Sequence, residues 1–150
     1  MHSIVYLSTA SEPMGTESLN LLLEVARARN ADAGVSGILI YGDGCFIQIL
    51  EGELQPLEAI FRSILRDGRH YGVKTIQFEP VDGRRFGDWS MAFVDDDDLT
   101  PTDRADLAQL RGQAEILARD EKGDPEFLAV MMRAIAPRLA RHLDSRRNAG

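Results

Sequence analysis

Five segments of the chain carry apolar residues in short runs or in alternation with polar ones, a pattern typical of β-strands. The predicted strands are residues 3–7, 35–41, 45–51, 73–80 and 89–94. The second and third are separated by Gly42, Asp43 and Gly44, and glycines supply the positive backbone dihedrals that a tight hairpin loop needs. These two strands are therefore predicted to form a hairpin.

Four other segments repeat apolar residues at the spacing of an amphipathic helix. The predicted helices are residues 17–30, 55–67, 102–119 and 125–143. Thr16 is expected to cap the first helix and Gly34 to mark its end, while Arg69 and His70 fall in the predicted loop after the second helix.

The elements follow the order strand, helix, strand, strand, helix, strand, strand, and two further helices complete the chain. This order predicts an α+β protein with a ferredoxin-like mixed five-stranded sheet, two helices on one face of the sheet, and two C-terminal helices. We expect residues 1–97 to form one domain. Residues 98–150 are expected to form a helical extension that packs on the sheet or presents a surface to a partner. The strand order stays open.

Gln48 lies inside an apolar run, residues 45–50, that is predicted to be a strand buried on both faces. Leaving a buried amide without hydrogen bonds costs on the order of 1–3 kcal/mol, so Gln48 must contact polar groups of the protein or of a ligand. The chain offers these candidates for its environment: Tyr6, Ser8, Asn30, Trp89, Ser90 and Met91.

Composition excludes several classes of function. Acidic side chains outnumber basic ones by 24 to 17, which gives a net charge of -7, and nucleic-acid binding is not expected because phosphate contacts need a basic surface. An apolar share of 44% and a charged share of 27% over 150 residues are those of an ordinary folded domain with a full hydrophobic core.

Cysteine and histidine are too sparse for a metal site. One cysteine and three widely separated histidines leave no ligand spacing, so neither a metal site nor a disulfide is expected. The N-terminus enters a strand-like run without the features of a signal peptide, and no segment has the uninterrupted apolar length of a membrane span. We therefore expect a cytoplasmic protein with no membrane partner.

Taken together, five segments of the chain resemble the BLUF domains, which are flavin-binding sensors of blue light. The segments are Val5-Tyr6-Leu7-Ser8; Asn30 with Val35-Ser36-Gly37; Phe46 to Gly52; Asp67 with Arg69-His70; and Arg85-Phe86 with Trp89-Ser90-Met91. The resemblance covers roughly residues 4–94, and this order and spacing are hard to obtain by chance. Ser36 and Cys45 depart mildly from the family pattern, and neither change touches Tyr6 or Gln48.

The resemblance implies that a flavin lies between the first two helices. In the family mechanism Tyr6 gives an electron to the excited flavin, a proton moves through Gln48, and the glutamine ends rotated or tautomerised. A flavin carbonyl then gains a hydrogen bond, which shifts its absorption slightly to the red. The resemblance favours FAD as the cofactor, with FMN and riboflavin as alternatives.

The remaining residues implied by the resemblance fall into two groups: cofactor contacts Asn30, Arg69 and His70, and signal relay residues Ser8, Trp89, Ser90 and Met91. Trp89 and Met91 are expected on one face of the fifth strand, so that one rearrangement disturbs both. The residue types fit these roles on physical grounds as well. A neutral phenol beside a neutral amide can pass a proton over a short distance, and an amide can reverse its hydrogen-bond pattern by exchanging oxygen and nitrogen.

Each residue alone has a more ordinary interpretation. A strand tyrosine commonly packs in the core, a core glutamine can be satisfied by backbone groups, and Asn30 alone would be taken as a helix C-terminal residue. Two other functions therefore remain as alternatives, a flavin-free ferredoxin-like binding or oligomerisation module and a small acylphosphatase-like hydrolase. The hydrolase is disfavoured because residues 8–11 lack its glycine-rich anion-binding loop and its catalytic arginine and asparagine.

The end of the chain predicts how a signal would leave the protein. After residue 94 only two helices follow, too little for a cyclase or phosphodiesterase domain, so we expect a short stand-alone photoreceptor that is not an enzyme. Its signal is expected to pass to an unidentified downstream protein or through a homo-oligomer. The apolar faces of the last two helices are the expected contact surfaces.

Overall fold

A computed structural model describes residues 1–120 and 125–149 of the chain. The strands are β1 His2–Ala10, β2 Ser36–Gly42, β3 Cys45–Gly52, β4 His70–Pro80 and β5 Ala92–Asp95. The helices are α1 Thr16–Ala33, α2 Leu54–Leu65, α3 Pro101–Asp120 and α4 Pro125–Ala149, and a 3-10 turn occupies Asp96–Asp98. The chain divides into two compact units, Met1–Asp95 and Asp96–Gly150.

The five strands form one mixed sheet in the order β4-β1-β3-β2-β5. β1 is antiparallel to both of its neighbours, β2 is antiparallel to β3, and β5 pairs with β2 in parallel. The predicted ferredoxin-like α+β fold with a five-stranded mixed sheet is therefore confirmed. The predicted hairpin of β2 and β3 is also present, and its positive dihedrals lie at Asp43 (φ 52°) and Gly44 (φ 72°).

The main core of the first unit lies between the sheet and the two helices α1 and α2. Side chains at even positions of β1 and β3 point to this face, because successive strand residues alternate between faces. The core cluster includes Ile4, Tyr6, Leu39, Phe46 and Leu50 from the sheet, Leu19, Leu23 and Ala26 from α1, and Leu57, Ile60 and Ile64 from α2. Gly34 ends α1 in the left-handed conformation (φ 68°), as predicted.

Several predictions of where the elements begin and end were wrong. Thr16 does not cap α1, because the N-cap is Gly15 and no side chain caps this end. β4 begins at His70 and not at residue 73, since β1 continues to Ala10 and pairs with it there. β5 begins at Ala92, so Trp89 and Met91 do not alternate along a strand.

The carbonyl groups before β5 explain why the strand starts late. The carbonyl of Trp89 accepts from the backbone of Gly37 at 3.0 Å, and that of Ser90 accepts from the Asn30 side chain at 2.8 Å. The first bond holds residue 89 against the start of β2, and the second ties residue 90 to α1, whereas regular pairing with β2 begins at Ala92. Residues 89–91 therefore form an irregular segment that leads into β5.

The second unit contains α3 and α4. The hydroxyl of Thr100 caps α3 by accepting from the backbone of Asp103 at 3.1 Å. Arg138 of α4 ties the two helices together through ion pairs with Asp103 (3.2 Å) and Asp106 (2.6 Å) of α3. α4 continues to Ala149, beyond the predicted end at residue 143.

Candidate functional site

Tyr6 and Gln48 lie directly opposite each other on the adjacent central strands β1 and β3. The phenol of Tyr6 donates to Oε1 of Gln48, and Nε2 of Gln48 donates to the sulfur of Met91 at 3.4 Å. Both residues are buried, Tyr6 with 3% and Gln48 with 5% of its surface exposed. The Gln48 amide is thus satisfied by side chains, a phenol on one side and a thioether on the other.

The Tyr6 side chain is a neutral donor in this environment. Burial raises its pKa well above the ordinary value of 10.0, because the apolar surroundings disfavour the phenolate. Its ring contacts those of Phe61 and His70, with centroids 5.6 and 6.2 Å away. The Tyr6 hydroxyl therefore keeps its proton and points it at the Gln48 oxygen.

A cleft opens above this pair between α1 and the end of α2. It holds about 510 Å³ of space, including its open mouth. Its lining is half apolar and half polar, with the polar pair Tyr6 and Gln48 at its base. The lining residues are Tyr6, Leu39, Phe46 and Gln48 from the sheet, Leu22, Val25, Ala26 and Arg29 from α1, and Ile64, Asp67, Arg69 and His70 from α2 and the following segment.

His70 joins Ser8 to this cleft. Its Nε2 lies 2.7 Å from the carbonyl oxygen of Ile64, and its Nδ1 lies 2.7 Å from the hydroxyl of Ser8. A carbonyl only accepts, so Nε2 carries the proton, and in the neutral ring Ser8 donates to Nδ1. The structure thereby brings together Ser8 and His70, which the sequence assigned to different roles.

Charged side chains mark the mouth of the cleft. Arg69 donates to Asp67 through Nε (2.9 Å), through Nη2 (2.5 Å) and through its backbone nitrogen (3.0 Å). These bonds lower the pKa of Asp67 to about 2, and the same pairing raises the pKa of Arg69. Arg29 also lines the cleft, and partial burial lowers its pKa. Two guanidinium groups thus share the mouth with one carboxylate.

Asn30 is fully buried, and its amide is turned toward the segment before β5. Its Nδ2 donates to the carbonyl of Ser90 at 2.8 Å, and the neighbouring Arg27 donates through Nε to the carbonyl of Met91 at 2.9 Å. The residues that line the cleft in the described part of the chain include Arg29 but not Asn30. Asn30 therefore connects α1 with residues 90 and 91.

Trp89 and Met91 occupy different environments. Met91 is buried in the core beside Gln48, whereas Trp89 is half-buried and joins β2 through its backbone carbonyl. Sequence reasoning left open which of the two lies next to Gln48. In the structure it is Met91.

Sequence reasoning did not assign the α1 residues that line the cleft. Leu22, Val25, Ala26 and Arg29 share one side of α1, because they follow the three- and four-residue spacing of a helix. Val25 is well exposed, as expected for a residue that faces a cleft and not the core. The helical spacing was visible in the sequence, but the exposure was not.

The family model described as "BLUF: Sensors of blue-light using FAD" matches residues 1–92. The chain belongs to the BLUF family. This assignment supports a blue-light sensor over the two alternatives, a flavin-free module and a hydrolase. The BLUF domain of this chain is accordingly a flavin-binding photosensor.

Relatives of this BLUF domain include parts of larger proteins. It is 34% identical over 102 residues to the photoactivated adenylate cyclase subunit alpha of Euglena gracilis, matching 67% of this chain and 10% of that protein. It is 29% identical over 93 residues to the blue light- and temperature-regulated antirepressor BluF of Escherichia coli strain K12, matching 62% of this chain and 23% of that protein. The chain thus spans less than a quarter of the length of either relative.

Among solved structures, the dark state of the BLUF protein BlrB superposes with a TM-score of 0.64 at 31% identity. The match covers 90% of this chain and 94% of BlrB. It extends the likeness beyond the 92 residues of the family model.

The cleft of this BLUF domain fits a flavin in its chemistry. A flavin ring is flat and aromatic, with carbonyl and N–H groups along one edge, and ligand pockets of this kind combine apolar walls with a few placed polar groups. Tyr6 and Gln48 supply polar groups at the base, and Phe46 and Ile64 supply apolar walls.

Within residues 1–120 and 125–149 no three metal-ligating side chains form a group, and no described helix has the length and apolarity to cross a membrane.

Proposed function

We propose that this chain is a blue-light photoreceptor in which light-driven electron and proton transfer between Tyr6 and bound FAD switches the hydrogen bonds of Gln48. The observation that carries this proposal is the chain of contacts from the Tyr6 hydroxyl to the Gln48 amide and on to the Met91 sulfur. All three side chains are buried, so solvent cannot replace a hydrogen bond lost at one of them, and a change at Tyr6 must be taken up by Gln48 and Met91.

What a bound flavin supplies is the absorption of blue light and a reversible one-electron redox couple. Tyr6 is the residue placed to lose an electron. Its hydroxyl proton has one acceptor among its described contacts, Oε1 of Gln48, so the proton moves along that hydrogen bond. Return of the electron and of the proton to Tyr6 would leave both groups neutral and the Gln48 amide reversed, which exchanges a donor for an acceptor at the base of the cleft.

Arg29 and Arg69 support a nucleotide form of the cofactor. Both guanidinium groups line the cleft at its mouth. The side chain that extends from the ring of a bound flavin would emerge there. Arginine is well suited to phosphate, because its planar donors match phosphate oxygens. We therefore propose that these residues contact the phosphate-bearing part of FAD, with His70 beside the ring. A contact of Asn30 with the polar edge of the ring is also proposed, and it would require the Asn30 amide to turn from the Ser90 carbonyl toward the cleft.

The signal is proposed to leave through residues 89–91 and β5. Met91 contacts Gln48 directly, Ser90 is bonded to Asn30, and Ala92 opens the strand that leads to the second unit in sequence. Residues 98–150 would then act as the output region, through an unidentified partner protein or a homo-oligomer. The chain itself is proposed to act as a sensor and not as an enzyme.

The test is the visible absorption spectrum of the purified protein in the dark, directly after blue light, and during recovery in the dark. A flavin spectrum that moves slightly to the red and returns is expected. A flavin spectrum that stays fixed or bleaches would overturn the Tyr6 and Gln48 switch while leaving flavin binding intact. Release of the cofactor by heat, followed by chromatography against FAD, FMN and riboflavin, identifies which flavin is bound.

A further inference from the structure

Glu51 is a buried acidic residue on the same strand as Gln48, with 1% of its surface exposed. It lies three positions after Gln48, so its side chain points to the opposite face of the sheet. Both carboxyl oxygens accept hydrogen bonds. Oε2 accepts from the backbone nitrogen of Arg85 at 2.8 Å, and Oε1 accepts from that of Phe86 at 2.8 Å and from the Ser36 hydroxyl at 3.2 Å.

Arg84 closes this cluster. Its Nη1 donates to the Ser36 hydroxyl (2.8 Å) and to the backbone carbonyl of Glu51 (3.2 Å), and its Nη2 donates to the carbonyl of Gly34 (2.6 Å). A carboxylate that accepts from several donors beside a guanidinium forms charge-assisted bonds, which are stronger than bonds between neutral groups. The start of the 84–91 segment is therefore firmly attached to β2 and β3.

Residues 84–91, which we call the anchor loop, connect this cluster with the Gln48 amide. The carbonyl of Phe86 accepts from Trp89 at 2.9 Å, and the carbonyl of Trp89 accepts from Gly37 of β2 at 3.0 Å. The loop then ends at Met91, whose sulfur is the second partner of Gln48. It thus runs from the sheet face that carries Glu51 to the face that carries Gln48.

We propose that Glu51 is a positioning residue for the Gln48 switch, acting through the anchor loop and Met91. The proposal rests on the proposed function, because it concerns the same switch. Reversal of the Gln48 amide replaces the Nε2 donor beside the Met91 sulfur by the Oε1 acceptor. The Met91 side chain must therefore move each time Gln48 switches. A loop fixed at Glu51 resists that adjustment and slows the thermal return to the dark state.

Glu51→Gln tests this role with little change of shape. The substitution replaces one acceptor oxygen by an NH₂ donor, which then faces a backbone N–H whichever way the amide lies. Flavin binding is expected to persist, because Glu51 does not line the cleft. Thermal recovery of the dark spectrum is expected to be faster by about threefold or more. The matched control is Glu79→Gln on β4, whose carboxylate accepts from Gln77.

A double-mutant cycle separates positioning from general loosening. If Glu51 acts through Met91, then Glu51→Gln accelerates recovery in the wild-type background and has no further effect in the Met91→Ala background. Equal effects in both backgrounds would overturn the proposal. So would a recovery rate of Glu51→Gln equal to that of Glu79→Gln. Should Glu51→Gln fail to fold, Arg84→Gln replaces it in the cycle, since it loosens the same cluster from the exposed side.

A second readout does not depend on photochemistry. The ¹³C-labelled methyl resonance of Met91 in the dark, identified by its absence in Met91→Leu, reports the position of this side chain directly. It is expected to move in Glu51→Gln and to stay in place in Glu79→Gln. An unmoved resonance would overturn the role of Glu51 even if the light response is normal. If the resonance moves in Glu51→Gln but the wild-type protein shows no red shift, then Glu51 positions Met91 as proposed and the proposed photochemistry is wrong.

Discussion

The side-chain nitrogen of Gln48 donates to the sulfur of Met91 at 3.4 Å, although the two residues are 43 positions apart. A thioether is a weak acceptor, whereas the phenol of Tyr6 is a good donor to the Gln48 oxygen. The amide is therefore held firmly on one side and loosely on the other. Such unequal partners would suit the proposed reversal of the amide, because only one strong bond opposes the change.

Gln48→Leu is expected to keep the flavin and to abolish the light-induced red shift. Leucine is close to glutamine in shape but has no group that can exchange donor and acceptor. Absorption spectra before and after blue light provide the measurement. Gln77→Leu, on β4, removes a glutamine outside the cleft and should leave the shift intact. A normal shift in Gln48→Leu would disprove the switch assignment.

Tyr6→Phe is expected to retain the yellow colour and to lose the reversible red shift. The ring contacts with Phe61 and His70 remain, but the hydroxyl that donates to Gln48 is gone. Leaving the buried Gln48 oxygen without this donor should lower the free energy of unfolding by about 1–3 kcal/mol. Urea unfolding and light-minus-dark spectra measure the two effects.

Tyr41→Phe is the matched control for that substitution. The Tyr41 hydroxyl accepts from the backbone of Met14 at 3.1 Å, and this residue does not line the cleft. It should show the ordinary red shift. If both tyrosine variants lose the red shift, the loss results from a general destabilisation of the domain and not from removal of the Tyr6 hydroxyl.

The Asp67 and Arg69 pair gives a pH dependence of defined sign. The pKa of Asp67 is lowered from 3.8 to about 2, mainly by the hydrogen bond from Arg69. A carboxyl with a lowered pKa stabilises the fold above its unfolded pKa, and the contribution is lost as the pH falls from about 4 through about 2. Because both side chains are partly exposed, the contribution should stay below about 1 kcal/mol.

Titration of the Asp67 carboxyl carbon by NMR measures this directly. Its midpoint should lie near 2 in the native protein and should rise toward 3.8 in Arg69→Gln, where the main donor is absent. Asp32→Asn serves as a control for stability, since it removes an exposed carboxyl of α1 away from the pair. An Asp67 midpoint unaffected by Arg69→Gln would contradict the pairing.

Gly37→Ala is expected to destabilise the protein by about 3 kcal/mol or more. A methyl group at this position would lie 2.1 Å from the backbone oxygen of Ile49, and neither strand can move aside without losing its pairing. Denaturant unfolding provides the measurement. Gly83→Ala, where an added methyl group meets nothing within 4 Å, should unfold at nearly the wild-type concentration of denaturant.

Much of the fold was predictable because its periodicities are strong. The stripe of apolar residues in α2 and the glycines around the β2–β3 hairpin are local signals, and both elements appear where expected. The starts of β4 and β5 were not predictable, since they depend on partners distant in sequence. Ala10 extends β4 by pairing with His70. Before β5, Gly37 donates a hydrogen bond to the carbonyl of residue 89, and Asn30 donates one to the carbonyl of residue 90.

The candidate site was predictable as a set of residues but not as a geometry. Tyr6 and Gln48 were singled out because a polar residue in an apolar strand needs a partner. Their direct opposition depends on the strand order, which the sequence left open. The choice of Met91 over Trp89 as the neighbour of Gln48 depends on the irregular backbone before β5, and local propensity carries no information about it.

The parallel pairing of β5 with β2 limits how a disturbance at Met91 can travel. Ala92 and Val94 are buried on one face of the sheet, and Phe93 packs against the core on the other. A slip of β5 by one residue would exchange the two faces. It would bring the carboxylate of Asp95 to the fully buried face that now holds Ala92 and Val94, and burying a carboxylate without a partner is costly. β5 is therefore expected to keep its register or to detach as a whole, so the signal proposed to leave through Met91 would be on-off and not graded.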